Sequence, residues 1–191
     1  MEALLISTGI VAIAEIGDKT QLLAMILAAR YRKPVPILFG ILFATIANHA
    51  LAAWGGALAA GWLGPDMMRW ILGILFLAMA GWCLIPDKAD DGPQALGQAG
   101  AFIATLVAFF LVEIGDKTQI ATVALSARFH TLVLVTIGTT LGMMLANAPA
   151  VLFGDVIARK APLKLIRGIA AALFAILGVM TLLRWDFGLM G

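Results

Sequence analysis

Long apolar runs separated by short polar breaks dominate the chain, and their lengths predict membrane-spanning helices at about 3–30, 34–60, 67–86, 99–128, 131–158 and 163–185. The breaks are Arg30-Tyr31-Arg32-Lys33-Pro34, Gly61 to Asp66, Pro86 to Gln98, Arg128-Phe129-His130 and Arg159-Lys160-Ala161-Pro162. Two of the six runs carry a charged cluster in their interior. If the first cluster were a loop between helices, its flanks, Ala3 to Ala14 and Leu22 to Ala29, would each be too short for a hydrocarbon core of about 30 Å. One long helix per run is therefore predicted, with the charges near mid-membrane. Ionisable groups at that depth are costly, and they mark ion paths or proton relays.

The two clusters are the same seven residues. Glu15-Ile16-Gly17-Asp18-Lys19-Thr20-Gln21 returns 98 positions later as Glu113-Ile114-Gly115-Asp116-Lys117-Thr118-Gln119. At the same offset Arg30 meets Arg128, Gly40 meets Gly138, Gly56 meets Gly154, Arg69 meets Arg167 and Phe76 meets Phe174. The chain thus divides into two three-helix repeats, 1–86 and 99–191, joined by a polar linker, 87–98. An odd number of helices per repeat makes the second copy enter the membrane in the opposite direction, so the predicted fold is an all-α membrane protein of six helices in two inverted repeats.

Loop charges give an orientation. With the linker inside, the cytoplasmic side collects Arg30, Arg32, Lys33, Lys88, Arg159, Lys160, Lys164 and Arg167, and the other side has Arg69, Arg128 and Arg184. The positive-inside rule then places both termini outside and the linker in the cytoplasm. Asp87, Asp90 and Asp91 are read as a solvated linker, and Asp155 with Arg159 as an interfacial ion pair.

Composition narrows the class. A chain of 191 residues that is 62% hydrophobic and 13% charged cannot hide its apolar side chains in a water-soluble core of that size. No basic cluster precedes the first run, so that helix is expected to stay in the mature protein. Cys83 stands alone, which excludes an intrachain disulfide and a thiolate metal cluster, and it is expected in the core. Nothing supports nucleic-acid binding, and no nucleophile–base pair or phosphate loop points to an enzyme. No cofactor is implied.

On a continuous helix, residues three and four apart share a face, so Glu15, Asp18 and Gln21 would converge, with Lys19 one turn from Glu15 and Thr20 on a neighbouring edge. Gly17 permits close approach or local unwinding. Inverted repeats bring such segments together at the midplane, so the motifs are expected to face one another. Glu15, Asp18, Glu113 and Asp116 against Lys19 and Lys117 leave a charge of minus two, which matches one divalent cation. The donors are oxygens, from the acids and from Thr20, Thr118, Gln21 and Gln119, and they suit hard ions such as manganese, calcium or magnesium. Crowded carboxylates without a cation hold protons, so metal and proton compete for the same groups. The bland alternative is a pair of helical salt bridges, Glu15 with Lys19 and Glu113 with Lys117. For the lysines, ion pairing and gating remain open.

Weaker candidates are His49, its repeat equivalent Asn147, and Asn48, as groups around the site. Thr45, Thr139 and Thr140 are expected to bond backbone carbonyls. Met143-Met144 is read as core, and Trp54, Trp62, Trp70, Trp82 and Trp185 as interfacial anchors.

The doubled Glu-x-Gly-Asp-Lys-Thr, once in each half of a small six-helix chain, closely resembles the calcium:cation antiporter-2 family of Golgi manganese/calcium–proton exchangers and bacterial manganese exporters. The resemblance implies that Glu15, Asp18, Glu113 and Asp116 bind the cation, with Lys19, Thr20, Lys117 and Thr118 completing the motifs. For a bacterial form it implies Mn2+ export across the inner membrane. The expected function is Mn2+ efflux in exchange for protons. The alternatives are a Ca2+/H+ antiporter, a small-solute or amino-acid exporter of similar architecture, and a non-transporting assembly factor. The apolar surface permits a homodimer without requiring one.

Overall fold

The computed structural model describes residues 1–85, 100–153 and 163–184. Within them the chain is helical throughout: α1 (Glu2–Glu15), α2 (Lys19–Tyr31), α3 (Pro34–Trp62), α4 (Pro65–Cys83), α5 (Ala101–Glu113), α6 (Lys117–Phe129), α7 (Leu132–Phe153) and α8 (Leu163–Leu183). Four of these, α3, α4, α7 and α8, are long and apolar enough to cross a membrane. The linker aspartates Asp87, Asp90 and Asp91, the Asp155–Arg159 pair and Trp185 lie outside the described residues.

The long first and fourth runs differ from the expectation of one continuous helix each. Each is two helices of 13 or 14 residues broken inside the charged motif. At 1.5 Å per residue each half reaches only about 20 Å, short of a bilayer core by itself. The other boundaries follow local chemistry. Pro34 and Pro65 occupy the first turns of α3 and α4, where a missing N–H costs nothing. Arg32 and His130, equivalent by the repeat, both take a left-handed conformation (φ 51°) that ends α2 and α6.

The two halves interlock. α1 packs along α7, and α5 packs along α3, so the opening helix of each half lies on the first unbroken helix of the other. Small residues allow this approach at equivalent points. A Cβ at Gly40 would stand 2.9 Å from the Phe102 carbonyl oxygen, and one at Gly138 would stand 2.7 Å from that of Leu4. α4 and α8 run along each other, with Phe76 and Phe174, another equivalent pair, stacked at 6.4 Å between ring centroids. Cys83 and Met143 are core residues as expected, and Trp54, Trp62 and Trp70 are exposed.

Candidate ion site

The break in each motif is a type II turn. Ile16 has φ −64° and ψ 118°, Gly17 has φ 81°, and the Asp18 N–H donates to the Glu15 carbonyl at 3.0 Å. The second copy repeats it: Ile114 φ −63° and ψ 120°, Gly115 φ 76°, and the Asp116 N–H to the Glu113 carbonyl at 3.1 Å. Positive φ at the third residue of the turn is why glycine stands there. Asp18 and Asp116 then occupy the N-cap positions of α2 and α6, and the Asp116 side chain accepts from the Thr118 N–H at 3.4 Å. Gly-Asp was the legible signal for this interruption, a glycine just past one helix followed by a preferred N-cap.

Each glutamine closes its own turn. The Gly17 N–H donates to Oε1 of Gln21 at 2.9 Å, and the Gly115 N–H to Oε1 of Gln119 at 2.7 Å. Gln21 Nε2 also donates to the Ala146 carbonyl of α7 at 2.9 Å, which fastens the first turn to the other half. The acids therefore do not converge by helical spacing, as the sequence suggested. Glu15 and Glu113 end one helix, Asp18 and Asp116 begin the next, and the turn folds each pair together. Breaking the helix also frees the last carbonyls of α1 and α5, whose negative dipole ends favour a cation nearby.

The two motifs meet in the interior. Lys117 Nζ lies 2.8 Å from Asp18 Oδ1, and Lys19 Nζ lies 3.1 Å from Asp116 Oδ1. The pairs cross between motifs, unlike the within-helix pairs Glu15–Lys19 and Glu113–Lys117 of the bland alternative. Oxygens of Glu15, Asp18 and Asp116, all buried, lie within 4.8 Å of one another. Glu113 stands outside that trio, and its Oε2 accepts from the Thr118 hydroxyl at 3.2 Å. The Thr118 hydroxyl is also 3.4 Å from Asp116 Oδ2, whereas the buried hydroxyl of Thr20 has no hydrogen-bond partner. Glu15 Oε1 and Oε2 likewise receive no hydrogen bond, and buried carboxylate oxygens without donors are what a cation would satisfy. The two halves of the site are thus alike in sequence and unequal in bonding.

The remaining candidates are dispersed. Asn147 lies within interaction range of Glu15 and donates to the Met143 carbonyl at 3.1 Å. Asn48 donates to the Phe110 carbonyl of α5 at 3.0 Å. His49 is fully buried, bonds through neither nitrogen, and is not part of the acid cluster. Thr139 bonds the Val135 carbonyl as expected, whereas the hydroxyls of Thr45 and Thr140 have no partner.

Chains with this doubled site have relatives. The family described as the divalent cation/proton antiporter GDT1 matches residues 3–91 and 101–187. The chain belongs to the GDT1 family. A Vibrio cholerae protein bearing the name of a manganese exporter is 55% identical over 182 residues, covering 95% of this chain and 90% of its own length. GDT1-like protein 5 of Arabidopsis thaliana is 28% identical, covering 90% of this chain and 91% of its own. GDT1-like protein sll0615 of Synechocystis is 27% identical, covering 90% and 92%. No solved structure matches the chain. GDT1 membership makes this chain a membrane cation transporter, and the apolar helices fit a multi-pass membrane protein.

Proposed function

We propose that this GDT1 protein exports Mn2+ from the cytoplasm in exchange for protons, through a site shared by its two motifs. The observation that carries the proposal is the gathering of Glu15, Asp18 and Asp116 oxygens within 4.8 Å in a buried, lysine-bridged cluster. Glu113 completes the four acids, and the Thr20 and Thr118 hydroxyls stand ready to add neutral oxygens. Oxygen donors of this kind suit Mn2+ and Ca2+ alike. The 55% identity to a protein named for manganese export favours Mn2+. A Ca2+/H+ antiporter is the second reading, since the donor set alone admits it.

The architecture proposed for this exchange is six spans in two inverted repeats, 1–86 and 99–191, with α1 plus α2 forming one broken span and α5 plus α6 another. The paired turns, the interlocked packing of α1 on α7 and α5 on α3, and the family match to each half support it. Broken helices at the centre of a transporter are where ions bind, because unwound backbone there lines a polar site. The loop-charge count supports an inner-membrane orientation with both termini outside and the 87–98 linker in the cytoplasm. Gln21 and Gln119 act in this scheme as clasps of the turns. Lys19 and Lys117 neutralise Asp116 and Asp18 between cargo ions, and an arriving cation competes with them.

The test is flux of Mn2+ and of Ca2+ in proteoliposomes with an internal pH dye, comparing the native chain with Glu15→Gln and Asp116→Asn. Mn2+ movement with opposed proton movement, lost in both variants, is the expected result. Ca2+ carried at lower concentration than Mn2+ would favour the second reading. Flux of neither ion by folded protein would overturn both.

A further inference from the structure

The repeat makes α1 equivalent to α5, α2 to α6, α3 to α7 and α4 to α8, yet the packing of α4 and α8 breaks this equivalence. α8 lies against α1, and α4 lies against α6. The equivalent seats, α4 on α5 and α8 on α2, are scarcely in contact. The core divides the same way. One apolar cluster joins Phe76 and Phe174 to Ile10 of α1 and Leu125 of α6, whereas the other, built around Leu27, Ile41 and Phe109, includes no residue of α4 or α8. Ile10 and Leu125 are buried like their equivalents Ala108 and Leu27, but other equivalent positions on these faces are unequal in burial. Ala124 is 0% exposed and its partner in the repeat, Ile26, is 53% exposed. Ile13 lines the groove against α8, while its equivalent, Leu111, is 55% exposed.

A set of polar ties holds the seated end. Arg69 of α4 donates to the Leu182 carbonyl of α8 at 3.0 Å, Asp66 at the start of α4 pairs with Arg184 just past α8, and Arg128 at the end of α6 donates to the Thr181 hydroxyl. Three helix ends are thereby tied together. The sequence at the opposite end keeps the arginines Arg69 and Arg128, as Arg167 and Arg30, but changes their surroundings: the acceptors Asp66 and Thr181 become Lys164 and Cys83, and the donor Arg184 becomes Pro86.

We infer that Asp66, Arg69, Arg128, Thr181 and Arg184 form a gate, and that α4 and α8 move as one body between two seats, α1 with α6 as seen here and α5 with α2 in the opposite state. This rests on the inverted-repeat reading above, under which the gate is on the extracytoplasmic side and closed. An inverted repeat makes the second seat available, because each apolar face that receives α4 and α8 exists twice. The unequal residues make the two seats unequal in stability, since Lys164 and Pro86 cannot form the ion pair that Asp66 and Arg184 form. An elementary two-state balance of this kind shifts with small changes in differential contact.

The test reads distances, with no ion needed. In a Cys83→Ser background, spin labels are placed on Leu5 with Leu183 and, separately, on the equivalent pair Ile103 with Ile85. The expected native result is a short distance for the first pair and a long one for the second. Asp66→Asn, at a 73% exposed side chain whose loss the fold tolerates, should enrich the exchanged distances roughly two- to fivefold. Thr181→Val provides an independent variant at the Arg128 tie. Equal distances for the two native pairs, or distributions unchanged in both variants of intact protein, would overturn the gate. Flux failing while the distances shift would instead remove the transport reading and leave the two-seat motion standing.

Discussion

Lys117 and Asp18 stand 2.8 Å apart across 99 residues, one from each half of the chain, with both side chains almost fully buried. A buried pair of this kind costs desolvation that its attraction must offset, and removing one partner strands the other. Lys117→Met should therefore lower stability by about 3–5 kcal/mol, read as the thermal midpoint in detergent. Asp18→Asn with Lys117→Met should recover part of the loss. Lys19→Met should cost less, because Lys19 is 23% exposed and water can serve Asp116 in its place.

The turn glycines make a separate prediction. Gly17 and Gly115 hold φ of 81° and 76°, and a Cβ at Gly115 would meet nothing within 4 Å. The penalty for Gly115→Ala is thus conformational, roughly 1–2 kcal/mol for a non-glycine residue at positive φ. Gly115→Asn, which tolerates that region better, should retain more stability and more flux than Gly115→Ala. Parallel melting and flux assays on the two variants decide it, and equal losses would count against the turn as the cause.

Gln21 and Gln119 differ in what they hold. Gln21→Leu leaves the Gly17 N–H without its partner and removes the tie to the Ala146 carbonyl of α7, so it should cost about 1–3 kcal/mol. Gln119→Leu releases only the Gly115 N–H in a more exposed turn and should cost less. If both variants melt like the native chain but bind Mn2+ weakly, the glutamines are ligands and not clasps.

Gly55 and Gly56 offer a packing control. A Cβ at Gly56 would sit 2.2 Å from the Val123 carbonyl oxygen of α6, whereas one at Gly55 meets nothing within 4 Å. Gly56→Ala should push α3 off α6 and yield little monodisperse protein, while Gly55→Ala should purify like the native chain.

Proton competition fixes the sign of the pH dependence. A carboxyl that carries a proton cannot ligate Mn2+, so acidifying the loading side should raise the apparent KM for Mn2+. The limit is about tenfold per pH unit for each proton displaced. Acidifying the opposite side should drive export. An apparent KM that stays constant as the loading side is acidified would separate the proton path from the acid cluster.

Much of this protein was written in its apolar pattern and its repeat. The apolar runs, the duplication at 98 residues and the acids of the two motifs can be read from the chain because burial in a bilayer and doubled chemistry leave local marks. The interruption of the first and fourth runs was only half legible. Gly17 hinted at unwinding, but helical spacing alone kept Glu15 and Asp18 on one continuous face. The type II turn won because Gly17 accepts a positive φ without a Cβ penalty, while the Asp18 N–H bonds the Glu15 carbonyl and the Gln21 clasp takes the Gly17 N–H, so backbone groups that a broken helix exposes are satisfied. Tertiary structure alone decided that Lys117 pairs with Asp18 of the other motif and that Glu113 turns to Thr118. A repeated sequence specifies each half identically at these points. Only the packing of one half against the other, where two copies cannot fill the same space in the same way, makes them unequal.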